Sequence, residues 1–181
     1  MSINPFSQKE VFRQTTHTPQ EIGEMILLAK KEQLEWQSVP LEFRLQKVST
    51  LAKVLEINYK HYALSITSEM GKLIGESEAE VQKCARLCHH YSKNTLKYLD
   101  SKAYKSDVGK VVLKRKPLGL ILGIMPWNFP FWQVFRFAIP NLIMGNGIIL
   151  KHASNVGATA AIIQDTFIAA GFPKRLYTNI Y

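Results

Sequence analysis

Two short apolar runs do most to constrain what this chain can fold into. Leu120-Ile121-Leu122-Gly123-Ile124 and Ile148-Ile149-Leu150-Lys151 are almost free of polar residues, as expected of strands buried on both faces. Between them, residues Phe131 to Met144 read as a helix that Gly145-Asn146-Gly147 ends. A further helix is expected from Val156 to Ala170, with Ser154 placed to cap it and Gly171-Phe172-Pro173 closing it. Leu176 to Tyr181 reads as a third strand. Strand, helix, strand, helix, strand is the opening of a parallel α/β sheet. It is half of a doubly wound nucleotide-binding fold, so a truncated protein is the expectation.

Residues 1–105 read differently, as a succession of amphipathic helices. The expected organisation is therefore a helical segment over 1–105 and a partial α/β segment over 106–181. Thr18-Pro19-Gln20-Glu21 is a complete helix start, with Thr18 as N-cap, Pro19 at the first position and Glu21 reaching back. Ile22, Met25, Ile26 and Ala29 then share one face. A second helix is expected from about Pro40 through Leu55. A third carries Tyr62, Leu64 and Ile66 and stops at Gly71, and a fourth runs from Glu76 to Leu99. Val111 to Lys116 reads as an exposed, basic strand.

Composition excludes several classes. The chain has 181 residues, 46% hydrophobic, which is too apolar for wholesale disorder and large enough for a sizeable core. A formal charge of +9 raises a nucleic-acid reading. The basic residues, however, are scattered over helix faces without interleaved aromatics, so no nucleic-acid partner is expected. The uncharged stretch from Leu118 to Phe135 is long enough to suggest a membrane span, but Pro126, Asn128 and Pro130 interrupt it. No membrane association is expected. With no apolar run after Met1, the expectation is a cytoplasmic protein. Cys84, Cys88, His89 and His90 lie on consecutive turns of one helix and cannot all converge on one ion, so no metal is expected.

Three places carry candidate chemistry. Met125-Pro126-Trp127-Asn128-Phe129-Pro130 follows a buried strand, where open α/β sheets place their ligands. The plain alternative is a rigid turn. The chemical reading is an Asn amide held by flanking prolines and aimed at a developing oxyanion. Lys151-His152-Ala153-Ser154 ends the next strand; it is either a snorkelling Lys and a helix cap, or an ammonium, imidazole and helix terminus that together hold a ribose or phosphate. Arg136 is the only charge between Lys116 and Lys151 and lies eight residues after Asn128. Such a charge is costly unless paired, either with a core carboxylate or with a substrate anion.

Pro126-Trp127-Asn128-Phe129-Pro130, followed by Gly145-Asn146 and Leu150-Lys151, resembles the amino-terminal part of an aldehyde dehydrogenase. Arg44, Leu51-Ala52 and Leu55, then Ser65 to Lys72 with Glu76 and Glu80, and Ala170-Gly171-Phe172-Pro173, extend the likeness over nearly the whole chain. Phe131-Trp132-Gln133-Val134 and Lys151-His152-Ala153 with Asn155-Val156 look most like the bacterial succinate-semialdehyde dehydrogenases. The resemblance implies an incomplete aldehyde dehydrogenase fold: amino-terminal helices, then the first βαβαβ part of a parallel Rossmann-like sheet. It implies NAD- or NADP-dependent oxidation of a small aldehyde to the acid in a complete, homo-oligomeric enzyme. It makes Asn128 the oxyanion donor, and lays Met125, Pro126, Trp127 and Asn128 along the cofactor. Lys151, His152, Ala153 and Ser154 belong to the ribose end, and Ser154 stands where NAD-preferring members carry a Glu, which makes NADP acceptable. Arg136 would grip the carboxylate of an ω-semialdehyde. The family's nucleophilic Cys, general-base Glu and Gly-rich cofactor turn have no counterpart here, so the chain alone is expected to be inactive.

Overall fold

The computed structural model describes residues 1–99, 103–107 and 109–181. A small antiparallel pair, β1 (Ser2–Ile3) and β2 (Glu10–Phe12), comes first. Thr18 then starts α1 (Pro19–Trp36) by the reciprocal capping its sequence predicts. Its hydroxyl accepts the Glu21 N–H at 3.2 Å, and the Glu21 carboxylate accepts the Thr18 N–H at 2.7 Å.

The second and third expected helices are one continuous element, α2 (Leu41–Met70). No Gly or Pro separates Leu55 from Tyr62, and Asn58 donates its amide to the Val54 carbonyl inside the helix at 2.9 Å. Gly71 ends it in the left-handed conformation, φ 73°, returning its N–H to the Thr67 carbonyl. After α3 (Ile74–Leu99), β3 (Ala103–Ser106) and β4 (Gly109–Val112) form an antiparallel hairpin. The expected strand over Val111 to Lys116 is thus displaced: the ladder stops at the Ala103–Val112 pair, and Leu113 to Lys116 lie outside any strand.

The α/β segment follows its predicted order: β5 (Leu120–Met125), α4 (Pro130–Ile143), β6 (Gly147–His152), a short 3-10 turn over Ser154–Val156, α5 (Gly157–Ala169) and β7 (Tyr177–Ile180). The three strands are parallel in the order β5-β6-β7, so β5 and β7 form the borders. On one face lie α4 and α5, with α2 and α3 packed over them. A ladder of stacked rings joins these layers, from Tyr62 through Phe131, Phe135 and Phe167 to Tyr177. Gly123 lets α4 come close: a Cβ there would meet the Phe137 ring at 2.7 Å. On the opposite face, Ile22 and Ile26 of α1 line an open apolar groove with Leu120, Leu122, Ile149 and Ile180.

Two buried carboxylates fasten the layers. Glu69 of α2 accepts the N–H groups of Ala158 and Thr159, at 2.7 and 2.8 Å, and the Ser2 hydroxyl. Glu80 of α3 accepts those of Phe131 and Trp132, at 2.9 and 3.0 Å. Each satisfies the first free donors of a crossover helix and meets the positive end of its dipole. This corrects the expectation for Ser154: it is exposed and makes no capping bond, because Glu69 takes the donors at the start of α5.

Glu69→Ala leaves two helix N–H groups without an acceptor. It should lower unfolding free energy in urea by about 3 kcal/mol, with Glu69→Gln losing less because one carbonyl oxygen still accepts. His152 supplies a pH-dependent counterpart. It is 5% exposed, and among the described residues neither ring nitrogen has a hydrogen-bond partner. Burial first, and the Lys151 charge with it, push its pKa from 6.5 down to about 4, the nearby Pro130 backbone opposing them. The unfolded chain therefore binds the proton first, and stability should fall as pH drops from about 6.5 towards 4, by roughly 3 kcal/mol. Denaturation of His152→Leu across the same window should show a correspondingly smaller loss than the parent.

Candidate active site

Parallel pairing brings the two candidate segments side by side. Ile124 faces Lys151 and Met125 faces His152 across the β5–β6 ladder, and the Ala153 N–H donates to the Met125 carbonyl at 3.1 Å. The Pro126–Pro130 turn and the Lys151–Ser154 segment therefore share the carboxyl border of the sheet, where such folds bind ligands.

Pro130 occupies the first turn of α4, where its missing N–H costs nothing. Pro126, Trp127, Asn128 and Phe129 are all exposed. Among the described residues the Asn128 carboxamide makes no hydrogen bond, so its N–H groups are available to a ligand. Its backbone carbonyl is held by the Lys72 ammonium at 3.2 Å, and the same ammonium lies 3.7 Å from the centre of the Phe129 ring. The sequence marks Lys72 and Glu80 only as part of a helical region; nothing local marks them as neighbours of Asn128.

The second segment is split between two environments. Lys151 is half-buried and donates to the backbone carbonyl of His152, while Ser154 is exposed. The His152 ring is buried. The Ala158 and Thr159 N–H groups at the start of α5 are already met by Glu69, so the helix terminus offers those two donors to no ligand. Lys151, His152, Ala153 and Ser154 nevertheless line one recess with Thr16 and Tyr181. No acidic side chain is among the residues that line it.

Arg136 is exposed on α4, and among the described residues it makes no ion pair or hydrogen bond. It is not the buried, paired Arg of the structural alternative. One turn before it, Trp132 carries the Lys83 ammonium 3.8 Å from its ring centre. Lys83, Arg86 and Trp132 line a groove between α3 and α4 that reaches Phe129 and Lys72. Cationic groups thus follow α4 outward from the Asn128 turn.

The cysteines lie elsewhere. Cys84 and Cys88 are fully buried in α3, and burial raises both thiols well above their ordinary range. Neither is a nucleophile in this setting. His89 instead pairs with Glu56 and His90 with Tyr98, both at 2.8 Å. No helix among the described residues is long and apolar enough to cross a membrane.

The sequence model of the aldehyde dehydrogenase family matches residues 1–180. A probable succinate-semialdehyde dehydrogenase [NADP(+)] from Synechocystis is 38% identical over 179 residues, which are 99% of this chain and 39% of that relative. The succinate semialdehyde dehydrogenase [NAD(P)+] Sad of Escherichia coli is 36% identical, over 98% of this chain and 38% of its own length. The crystal structure of succinic semialdehyde dehydrogenase from Streptococcus pyogenes, in complex with NADP+, superposes with a TM-score of 0.95 at 29% identity, covering 99% of this chain and 40% of that one. The chain thus spans about two fifths of the length of the relatives it matches. With its sheet, its Pro-Trp-Asn-Phe-Pro turn and its whole length accounted for in this way, the chain belongs to the aldehyde dehydrogenase family.

Proposed function

We propose that this sequence supplies the oxyanion donor, the ribose-side cofactor border and the substrate-carboxylate contact for NAD(P)-dependent oxidation of an ω-semialdehyde, with succinate semialdehyde the favoured substrate. The observation that carries this reading is the placement of Asn128, with its free carboxamide, on the same sheet border as Lys151. In that position the Asn128 amide donates to the aldehyde oxygen as negative charge develops on it. Lys151 reaches a ribose or phosphate at the end of β6, and Ser154 leaves room for a 2′-phosphate that a carboxylate would repel. The open border and the anion-tolerant recess fit a dinucleotide, which when bound accepts the hydride. Arg136, unpaired about two helical turns beyond Asn128, binds the distal carboxylate through its planar fork.

These residues bind and orient; they do not attack. The covalent step needs a thiolate, and Cys84 and Cys88 are buried in α3 with raised pKa values. The 181-residue chain should therefore produce no NADH or NADPH above buffer with any aldehyde, since losing the nucleophile of a covalent enzyme costs roughly six orders of magnitude. Steady turnover by the purified chain alone would overturn that expectation.

Fusing the carboxyl-terminal part of a related succinate-semialdehyde dehydrogenase after residue 181 tests the substrate assignment. In that fusion Arg136→Ala should raise KM for succinate semialdehyde roughly ten- to hundred-fold over its effect on an uncharged aldehyde of similar length. Arg136→Lys should restore only part of the difference. Equal losses for both substrates would remove Arg136 from the site.

A further inference from the structure

We propose that Lys72 and Glu80 are positioning residues for the Asn128 turn, a buried ion pair that sets where the Asn128 amide points. The inference rests on the reading of Asn128 as the oxyanion donor and adds to it the device that holds that donor still.

Lys72 directly follows Gly71, whose left-handed conformation stops α2 and turns the chain towards α3. Glu80 lies in the first part of α3. Their side chains are 8% and 2% exposed and meet Nζ to Oε2 at 2.5 Å. A buried pair of this kind is costly unless its remaining hydrogen-bonding capacity is met. Here it is met by the turn. Glu80 Oε1 accepts the Phe131 and Trp132 N–H groups, and Lys72 Nζ donates to the Asn128 carbonyl while lying against the Phe129 ring.

The turn has little else to fix it. Phe129 stands at the N-cap position of α4 and makes no side-chain cap bond. Pro126 and Pro130 restrict their own φ angles, and Pro130 also restricts Phe129, but neither proline fixes the backbone of Asn128. The Asn128 carbonyl and the first free donors of α4 both bond to this one pair. The ion pair therefore acts on Asn128 through the backbone, leaving the carboxamide free for a ligand.

The equivalent cap on α5 provides an internal control. Glu69 holds Ala158 and Thr159 as Glu80 holds Phe131 and Trp132, but no lysine pairs with Glu69 among the described residues. Hydrogen exchange of the 181-residue chain, read by mass spectrometry on peptides over 129–134 and 157–162, compares the two ends directly. Lys72→Met should speed exchange over 129–134 by about tenfold and leave 157–162 within about twofold. Glu80→Gln should move the same segment in the same direction. Lys72→Arg, which keeps the charge, should restore most of the protection. Exchange that rises alike in both segments would make the pair a general fold support and overturn the proposal. So would exchange unchanged over 129–134, or a failure of Lys72→Arg to rescue. The measurement needs no turnover, so it stands or falls separately from the aldehyde oxidation reading.

Discussion

The architecture depends on carboxylates placed where helices begin. Packing α4 and α5 between a sheet and a second helical layer buries their amino-terminal ends, and buried N–H donors without acceptors are expensive. Glu69 and Glu80 resolve this from a distance, each reaching out of the α2–α3 layer into the start of a crossover helix. The contact between layers is therefore directional as well as apolar. The ring ladder from Tyr62 to Tyr177 lets the layers pack; the two carboxylates set how far α4 and α5 advance, and so where the carboxyl border of the sheet stands.

Much of this was legible in the residues. Apolar runs bounded by glycines announce β5 and β6, Thr18 and Glu21 announce the start of α1, and Gly71 announces a stop. The failures share one physical cause, which is that local text cannot see remote partners. Ser154 has the right identity and place for a cap, yet the donors it was expected to satisfy belong to Glu69, far back in the chain. Lys72 and Glu80 look like ordinary helix residues until the fold sets them against Asn128. The continuity of α2 is the exception, because Leu55, Tyr59, Tyr62 and Ile66 keep helical spacing across the expected break and all pack in or against the core. Among the candidate residues, Asn128 and Lys151 do share a border, while His152 is buried beside Lys151.

The positive charge has a similarly local explanation. Several cations are tied to nearby acceptors: Lys30 to Gln33, Arg44 to the carbonyls of Gln37 and Val39, Lys151 to that of His152. Lys72 and Lys83 lie over aromatic rings. A surplus distributed this way makes many short-range contacts instead of one broad attractive field. Against it Arg136 stands apart, exposed and without a partner among the described residues.

The order β5-β6-β7 puts the strand that carries the Asn128 turn at a border of the sheet. Leu122 and Ile124 are 58% and 75% exposed there, and the outer backbone groups of β5 face away from β6. A strand that pairs in parallel along this border arrives about 4.8 Å from β5 and delivers its own carboxyl end beside Asn128. Extending the sheet and bringing a second set of side chains to the Asn128 turn are thereby a single event. The geometry behaves as a coincidence detector, in which a longer sheet and a larger set of groups around Asn128 arise together.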